Sequence, residues 1–465
     1  MFRRRTTRWP IARGKDICAL CAMLVVCASL ASASATLFLE EPYGKMGFFT
    51  ATGHAAVYLS NVCADSPTVL RRCMPEETGV VISRYDGIDG YDWLAIPLIP
   101  YLYAVERADD VPLFADAKMV AFLRDQYRRK HLEDVAPDGP NGEAPGGIWY
   151  QLIGSSYDRT IYGFEIETTS AQDDALIREL NSSPNSSHFH LMWNNCADFA
   201  KHIINFYYPK SLHRSLIADA GITTPKQMAK MIVKFNAHHP QLQFSRMVIA
   251  QVPGAMPRSS TAHGVVESFL KAKKYILPSA VMNPIFAGCV FAVYVGTGAG
   301  HFEPDRNAMV FNPDGDLESP LSHADRKIYQ RQLKSLLAEY GDTAPGERAD
   351  KRWEKVQSRA KATLDDQGEV ILQVRFDGNL VEVGASSGNV LEGDAMPQLA
   401  RQILEARLES ELNHSTRKGI SRSQIARDWN LLQQAESAGF EGISRVSSVS
   451  TLLPTPVHAS LANAP

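Results

Sequence analysis

Apolar positions along this chain switch between a period of two and a period of three to four. The runs "GHAAVYLSNV" and "GVVISRY" are short and rich in β-branched and aromatic residues, and they predict two neighbouring strands either side of a Pro- and Cys-containing stretch from Cys63 to Glu77. In "ADAKMVAFLRDQYRR", Met119, Phe122, Leu123 and Tyr127 recur at helical spacing, which predicts a helix. "EDVAPDGPNGEAPGG" strings Pro and Gly together as a loop able to close over a site. In "TIYGFEIETT", Tyr162, Phe164 and Ile166 alternate with Gly163, Glu165 and Glu167, the period of a half-buried strand. Ser170 with Asp173 three residues on has the form of a capping box opening the helix "AQDDALIREL". A second helix follows "HFHLMWNNC", with Phe199, Ile203, Phe206 and Tyr207 as its apolar stripe and Pro209 as its stop. Residues 36–220 therefore predict one α+β unit.

Beyond it, "TTPKQMAKMIVKFNAHH" reads as a connecting helix within a segment spanning 221–302. From Tyr275 to Phe302 there is no Asp, Glu, Lys or Arg, and the centre "NPIFAGCVFAVYVGTGAG" is long enough for the ~20 residues that span a bilayer. Two readings stand: membrane association through residues 276–300, as a span or an anchor, or a buried core helix or strand pair. Pro284, Ser279, Asn283 and the preceding basic "KAKK" weigh against a single span. The "GTGAG" that ends the stretch lacks the helix signal of a phosphate loop. Residues 303–442 predict a mainly helical region, with charged amphipathic helices in "HADRKIYQRQLKSLLAEY" and "MPQLARQILEARLESEL" and a β-hairpin turning at Asp377 and Gly378. The tail 443–465, rich in Ser, Thr and Pro, is expected to be disordered.

The 465 residues exceed one compact core, and the 45% hydrophobic content is enough for two or three. A net charge of -3 with 21% charged residues gives no global field for nucleic acid, so no nucleic-acid partner is expected. Arg3, Arg4, Arg5, Arg8, Arg13 and Lys15 precede the uncharged run "ICALCAMLVVCASLASASA", the pattern of a signal peptide over 1–35 cleaved after Ala33 or Ala35. An uncleaved anchor is the alternative. The pattern predicts export to the periplasm or cell envelope, where disulfides persist. Of the four cysteines that remain, Cys63 and Cys73 close a short loop and form the preferred disulfide candidate. A further bridge from Cys196 to Cys289 is the competing arrangement, and it would leave no free thiol.

A cysteine attacks as its thiolate, and a thiol of pKa ~8.5 must be activated to do so near neutrality. Cys196 follows Asn195, a favoured N-cap residue, and precedes Asp198, so it falls in the first turn of a helix, where unpaired N–H groups and the helix dipole favour negative charge. His54 directly follows Gly53 at the start of a predicted strand, where another element can reach its ring as a general base. His188 and His190 lie on a segment leading away from the helix tip, and His202 lies too far into the helix. Asp86, Asp89 and Asp92 lack EF-hand spacing and read as a turn. The mature chain has no paired His or Cys spacing for zinc, and neither a metal nor an organic cofactor is expected.

"GHAAVYL" followed much later by "NNCADF" resembles the permuted branch of the papain-like thiol hydrolases, in which the histidine strand precedes the cysteine helix. That superfamily includes NlpC-type cell-wall peptidases and lecithin retinol acyltransferase-like enzymes. The similarity covers roughly residues 44–215. It implies a permuted papain-like domain, an antiparallel sheet packed on the cysteine helix, with Cys196 as nucleophile and His54 as base. The family's third residue sits on the next strand, "GVVISRYDG", where Ser83 is the nearest match and Asp86 the runner-up. The resemblance implies a cysteine hydrolase acting on a peptide or cell-wall amide through an acyl-thioester. Two alternatives stand beside it: the same pair working on a lipid ester as acyltransferase or phospholipase, and a non-catalytic envelope binding module.

Overall fold

The computed structural model describes residues 33–43, 52–88, 90–186, 189–340, 348–376, 379–386, 390–392, 402–403, 405–410 and 419–428. The Arg-rich head, most of the apolar run after it and the tail from 443 lie outside these residues. The described part is a mixed α/β structure of largely antiparallel sheets and helices.

Its centre is β1 (Ser34–Glu40), whose seven residues are all buried. It pairs antiparallel with β2 (His54–Leu59) on one side and β7 (Ile161–Glu167) on the other. Leu37 and Leu39 face one core and Phe38 the other, so a run without polar alternation is what a strand covered on both faces requires. β1 thus begins two residues before the expected domain start at 36. Cleavage after Ala33 would leave it whole, and cleavage after Ala35 would remove its first two residues.

The remaining strands are β3 (Val62–Ser66), β4 (Val69–Arg72), β5 (Val80–Ile88), β6 (Tyr91–Pro97), β8 (Phe244–Ile249), β9 (Met309–Phe311) and β10 (Leu317–Glu318). Among the described residues eight strands form one sheet in the order β10-β9-β8-β7-β1-β2-β5-β6, antiparallel except for the β8–β9 pair. The boundary expected at 220 is therefore crossed by the sheet: Ile161–Ile166 of β7 pair with Phe244–Ile249 of β8, and β9 and β10 extend the same edge. Remote segments complete the edge because an unpaired β7 would leave a row of backbone donors and acceptors without partners.

Helices cover both faces. They are α1 (Leu98–Tyr103), α2 (Ala117–His131), α3 (Ser155–Asp158), α4 (Ser170–Ser182), α5 (Cys196–Tyr207), α6 (Pro225–His238), α7 (Val265–Lys271), α8 (Lys273–Met282), α9 (Pro284–Gly296), α10 (His323–Tyr340) and α11 (Ala349–Arg359). One face, with Leu37, Val57 and Ile82, packs on Ala197, Ala200 and Ile203 of α5 and on Met228 and Ile232 of α6. The other, with Phe38, Ala56 and Val81, packs on Tyr101, Met119 and Leu123. The cap of α4 is Thr169 with Gln172 rather than Ser170 with Asp173: both reciprocal bonds of the box form there. Asp173 instead accepts from the Tyr207 hydroxyl at 3.0 Å, inside the fold.

In the carboxyl-terminal region the described residues carry, besides helices, more strands than the one expected hairpin. β11 (Lys361–Leu364), β12 (Val370–Phe376), β13 (Asn379–Gly384) and β14 (Val390–Glu392) form a second antiparallel sheet, whose Leu372, Val374, Val381 and Val383 join the core on the Phe38 side together with Trp353 of α11. Phe376 pairs with Asn379, which brackets the predicted turn. The apolar stretch after Tyr275 is α8 and α9, broken at Asn283, whose side chain caps α9 while Pro284 fills its first turn. Among the described residues no helix is long and apolar enough to cross a membrane.

Cys63 and Cys73 form a disulfide across the β3–β4 hairpin, and Cys196 and Cys289 are both free, so the bridge between them does not form. The disulfide closes a loop of sequence separation 10. Replacing both cysteines with serine should lower stability by about 2–3 kcal/mol, the loop-closure entropy for that length, read as a shift in the urea midpoint. An unchanged midpoint would mean that the hairpin is held by its other contacts.

Candidate active site

The two asparagines before the cysteine hold different elements. Asn195 caps α5 by accepting from the Asp198 N–H at 3.0 Å, and the Asp198 carboxylate faces the Asn195 N–H at 3.4 Å, the reciprocal box expected from sequence. Asn194 reaches across to β5, where its Oδ1 accepts from Arg84 Nη1 at 2.5 Å. Arg84 in turn grips Asp92 of β6 with two bonds at 2.5 Å and lies 5.2 Å over the Phe199 ring of α5. The helix tip is thus clamped to the sheet on both sides of the cysteine. Burial alone would raise Asp198, but Lys201, Thr223 and Arg214 hold it below its ordinary value by donating to it at 2.8, 2.6 and 2.9 Å.

The tip of α5 lies where β2 and β5 part. Their ladder covers only 57–59 and 80–82, so residues 54–56 have no partner strand on that side. The Cys196 sulfur comes into this gap close to the backbone N–H of Ala55, and its residue is half-buried. Burial pushes the thiol up to about 11 against the N–H groups of Ala55 and Ala197, which pull it down; the Glu40 and Asp198 carboxylates add to the rise. The helix tip expected to activate the thiol is therefore outweighed by desolvation, and the resting group is a thiol.

His54 is the residue immediately before Ala55. Gly53 lets the chain turn into β2 with φ at +79°, and a Cβ there would lie 2.1 Å from the Glu40 carbonyl oxygen, so only glycine fits. The His54 ring is buried, with Nε2 3.2 Å from Ser83 Oγ. Ser83 therefore stands where the third residue was expected, while the side chain of Asp86 lies outside the described residues. By strand alternation His54 and Ser83 share the sheet face of Glu40 and Ala56, opposite the face that packs on the body of α5. Cys196 packs with the α5-side core, so its sulfur meets the Ala55 N–H from the face opposite His54 and Ser83. Among the described residues no hydrogen bond joins Sγ to the imidazole.

Sequence reasoning missed the buried charges behind the histidine. Glu40, the cross-strand neighbour of His54, accepts from Arg159 Nη1 at 3.1 Å and from the Tyr101 hydroxyl. Arg159 also lies 4.9 Å over the Tyr150 ring. Burial and then the Arg159 charge push the His54 imidazole well below its ordinary 6.5, so it is a neutral base at neutral pH. A Glu at the end of an otherwise apolar strand was the available signal. The acid–thiol group Cys63, Cys73 and Glu77 offers no thiolate for a metal, because the two sulfurs are bonded to each other. A cavity of about 360 Å³ lined by Tyr103, Leu113, Val252, Phe311, Arg407 and Arg427 does not border Cys196 or His54.

The depressed His54 sets a sign for acid stability. Below 6.5 the unfolded chain takes a proton that the folded ring refuses, so stability is full above 6.5 and falls as pH drops through and beneath it, by up to about 1.4 kcal/mol per pH unit. His54→Asn should flatten the denaturant midpoint between pH 6.5 and pH 5, relative to the parent protein. Equal slopes in the two proteins would show that the ring is protonated when folded.

No family model, no curated protein and no solved structure matches this chain.

Proposed function

We propose that this protein is an exported cysteine hydrolase of permuted papain-like architecture that cleaves an amide, in a peptide or in peptidoglycan, through an acyl-thioester. The observation that carries the reading is the approach of the Cys196 sulfur to the N–H of Ala55, one residue from a neutral, buried imidazole held by Ser83. The Arg-rich, then apolar, head supports export.

In this reading His54 Nε2–H donates to Ser83 Oγ, which leaves the Nδ1 lone pair to take the thiol proton, directly or through one water. Sulfur then forms its bond to the substrate carbonyl carbon, and the Ala55 and Ala197 N–H groups are the nearby backbone donors for the negative charge that develops. The imidazolium returns its proton to the leaving amine as the C–N bond breaks, and water activated by the neutral ring hydrolyses the thioester. Because both groups rest uncharged, the proton moves as attack proceeds, so the burial cost of a standing thiolate is avoided.

A non-catalytic envelope module is the second reading. It is favoured by the raised thiol and by the missing bond between sulfur and ring. The two separate by experiment. Turnover of muropeptides and of phospholipid vesicles is compared for the parent protein and three variants. Cys196→Ala should abolish amide cleavage, His54→Ala should lower kcat by about 10²–10⁴, and Ser83→Ala should lower it by about tenfold. Full activity in Cys196→Ala or His54→Ala would overturn the assignment, and release of fatty acid alone would move the substrate to lipid.

Alkylation of Cys196 by iodoacetamide, followed by peptide mapping, gives a further check. The rate should rise towards about pH 11, and at pH 7 it should fall below that of the unfolded chain. Fast labelling at pH 7 would mean that the resting sulfur is already a thiolate.

A further inference from the structure

Among the described residues the pair α8–α9 is a long apolar feature that neither core absorbs. Neither helix has a buried residue, and Val281, Met282 and Ile285 are 84%, 85% and 79% exposed, with Leu277, Phe291 and Val295 beside them. α9 is apolar around its whole circumference. A helix that docks on a protein keeps a polar face for solvent, whereas one apolar all round belongs in a core or in lipid. We infer that α8–α9 is a membrane-embedding hairpin that enters one leaflet of a bilayer containing anionic lipid.

Four observations fit that occupant. The 13 residues of α9 rise about 20 Å, short of the ~30 Å hydrocarbon core, so the helix enters without crossing. Its end groups are satisfied from within: Asn283 Oδ1 accepts from the Phe286 N–H at 3.0 Å, and the Thr297 hydroxyl donates to the Val293 carbonyl at 2.8 Å. Lys273 and Lys274 stand at the entry with Tyr275, over whose ring Lys274 lies at 4.8 Å, the pairing of basic and aromatic groups that suits a headgroup layer. The hairpin is also tied to the body: Phe269 of α7 meets the Phe286 ring at 6.0 Å, and Glu267 of α7 pairs with Lys226 of α6 at 2.6 Å. A second copy of this chain would cover one side of α9 and leave the rest in water. The inference stands apart from the hydrolase reading, since it uses none of that site's residues.

The test is flotation of the full chain with vesicles of phosphatidylcholine, alone or mixed with phosphatidylglycerol, using lipid that carries a photoreactive acyl chain. Binding should need the phosphatidylglycerol and weaken as salt rises. Cross-links should map to 276–296, and Ile285→Glu with Phe291→Glu should reduce the floating fraction at least about tenfold at an unchanged melting temperature. Three results would overturn it: no flotation, cross-links confined to the apolar run before Ala33 with the double variant still bound, or concentration-dependent dimers that ignore vesicles. If the double variant melts early, the cross-link map of the parent protein alone decides.

Discussion

The tip of α5 occupies the gap where β2 and β5 stop pairing, and the candidate site depends on that insertion. A sheet that continued its ladder through His54–Ala56 would cover the Ala55 N–H that the Cys196 sulfur approaches. The parting is fixed from both sides. Gly53 brings the chain into β2 against the Glu40 carbonyl, and Arg84 on β5 ties Asp92 and Asn194 to the tip of the helix. Each clamp is short-range, but together they bind three segments that are far apart in sequence.

Electrostatics at the site are governed by dryness. Burial raises the thiol and lowers the imidazole, so the proton rests on sulfur and neither group carries charge. The Glu40–Arg159 pair lies beside them, and each member disfavours the charged form of one of the two groups, Arg159 that of His54 and Glu40 that of Cys196. Such a buried pair is weak evidence for stability, because desolvation offsets much of its attraction. Its plainest effect here is on where the proton sits.

Much of this was legible in the sequence where a short pattern has a local cause. The cap at Asn195 with Asp198, the strands carrying His54 and Ser83, the Cys63–Cys73 bridge and the pairing of Phe376 with Asn379 all follow from residues a few positions apart. What stayed hidden was non-local. β1 is continuous with the apolar run before it, so its start merged with an expected signal sequence. β9 and β10 are three and two residues long, too short for any period to register. Asn194 could be seen next to the cysteine, but nothing in the sequence pointed to Arg84, 110 positions away. The direction of the thiol's shift depends on how deeply the packed sheet buries the helix tip, and no pattern of neighbours encodes that depth.

The edge made by β8, β9 and β10 has a consequence for how the molecule comes into being. The strand that pairs with β7 is supplied about eighty residues later, and its parallel neighbour comes some sixty residues after that. A nascent chain that has just released α5 from the ribosome already carries its cysteine and histidine, yet it has an open edge at β7 until residue 249 emerges, and the β8 edge that replaces it waits for β9. Through that interval the backbone donors and acceptors along one side of β7 have no strand to pair with.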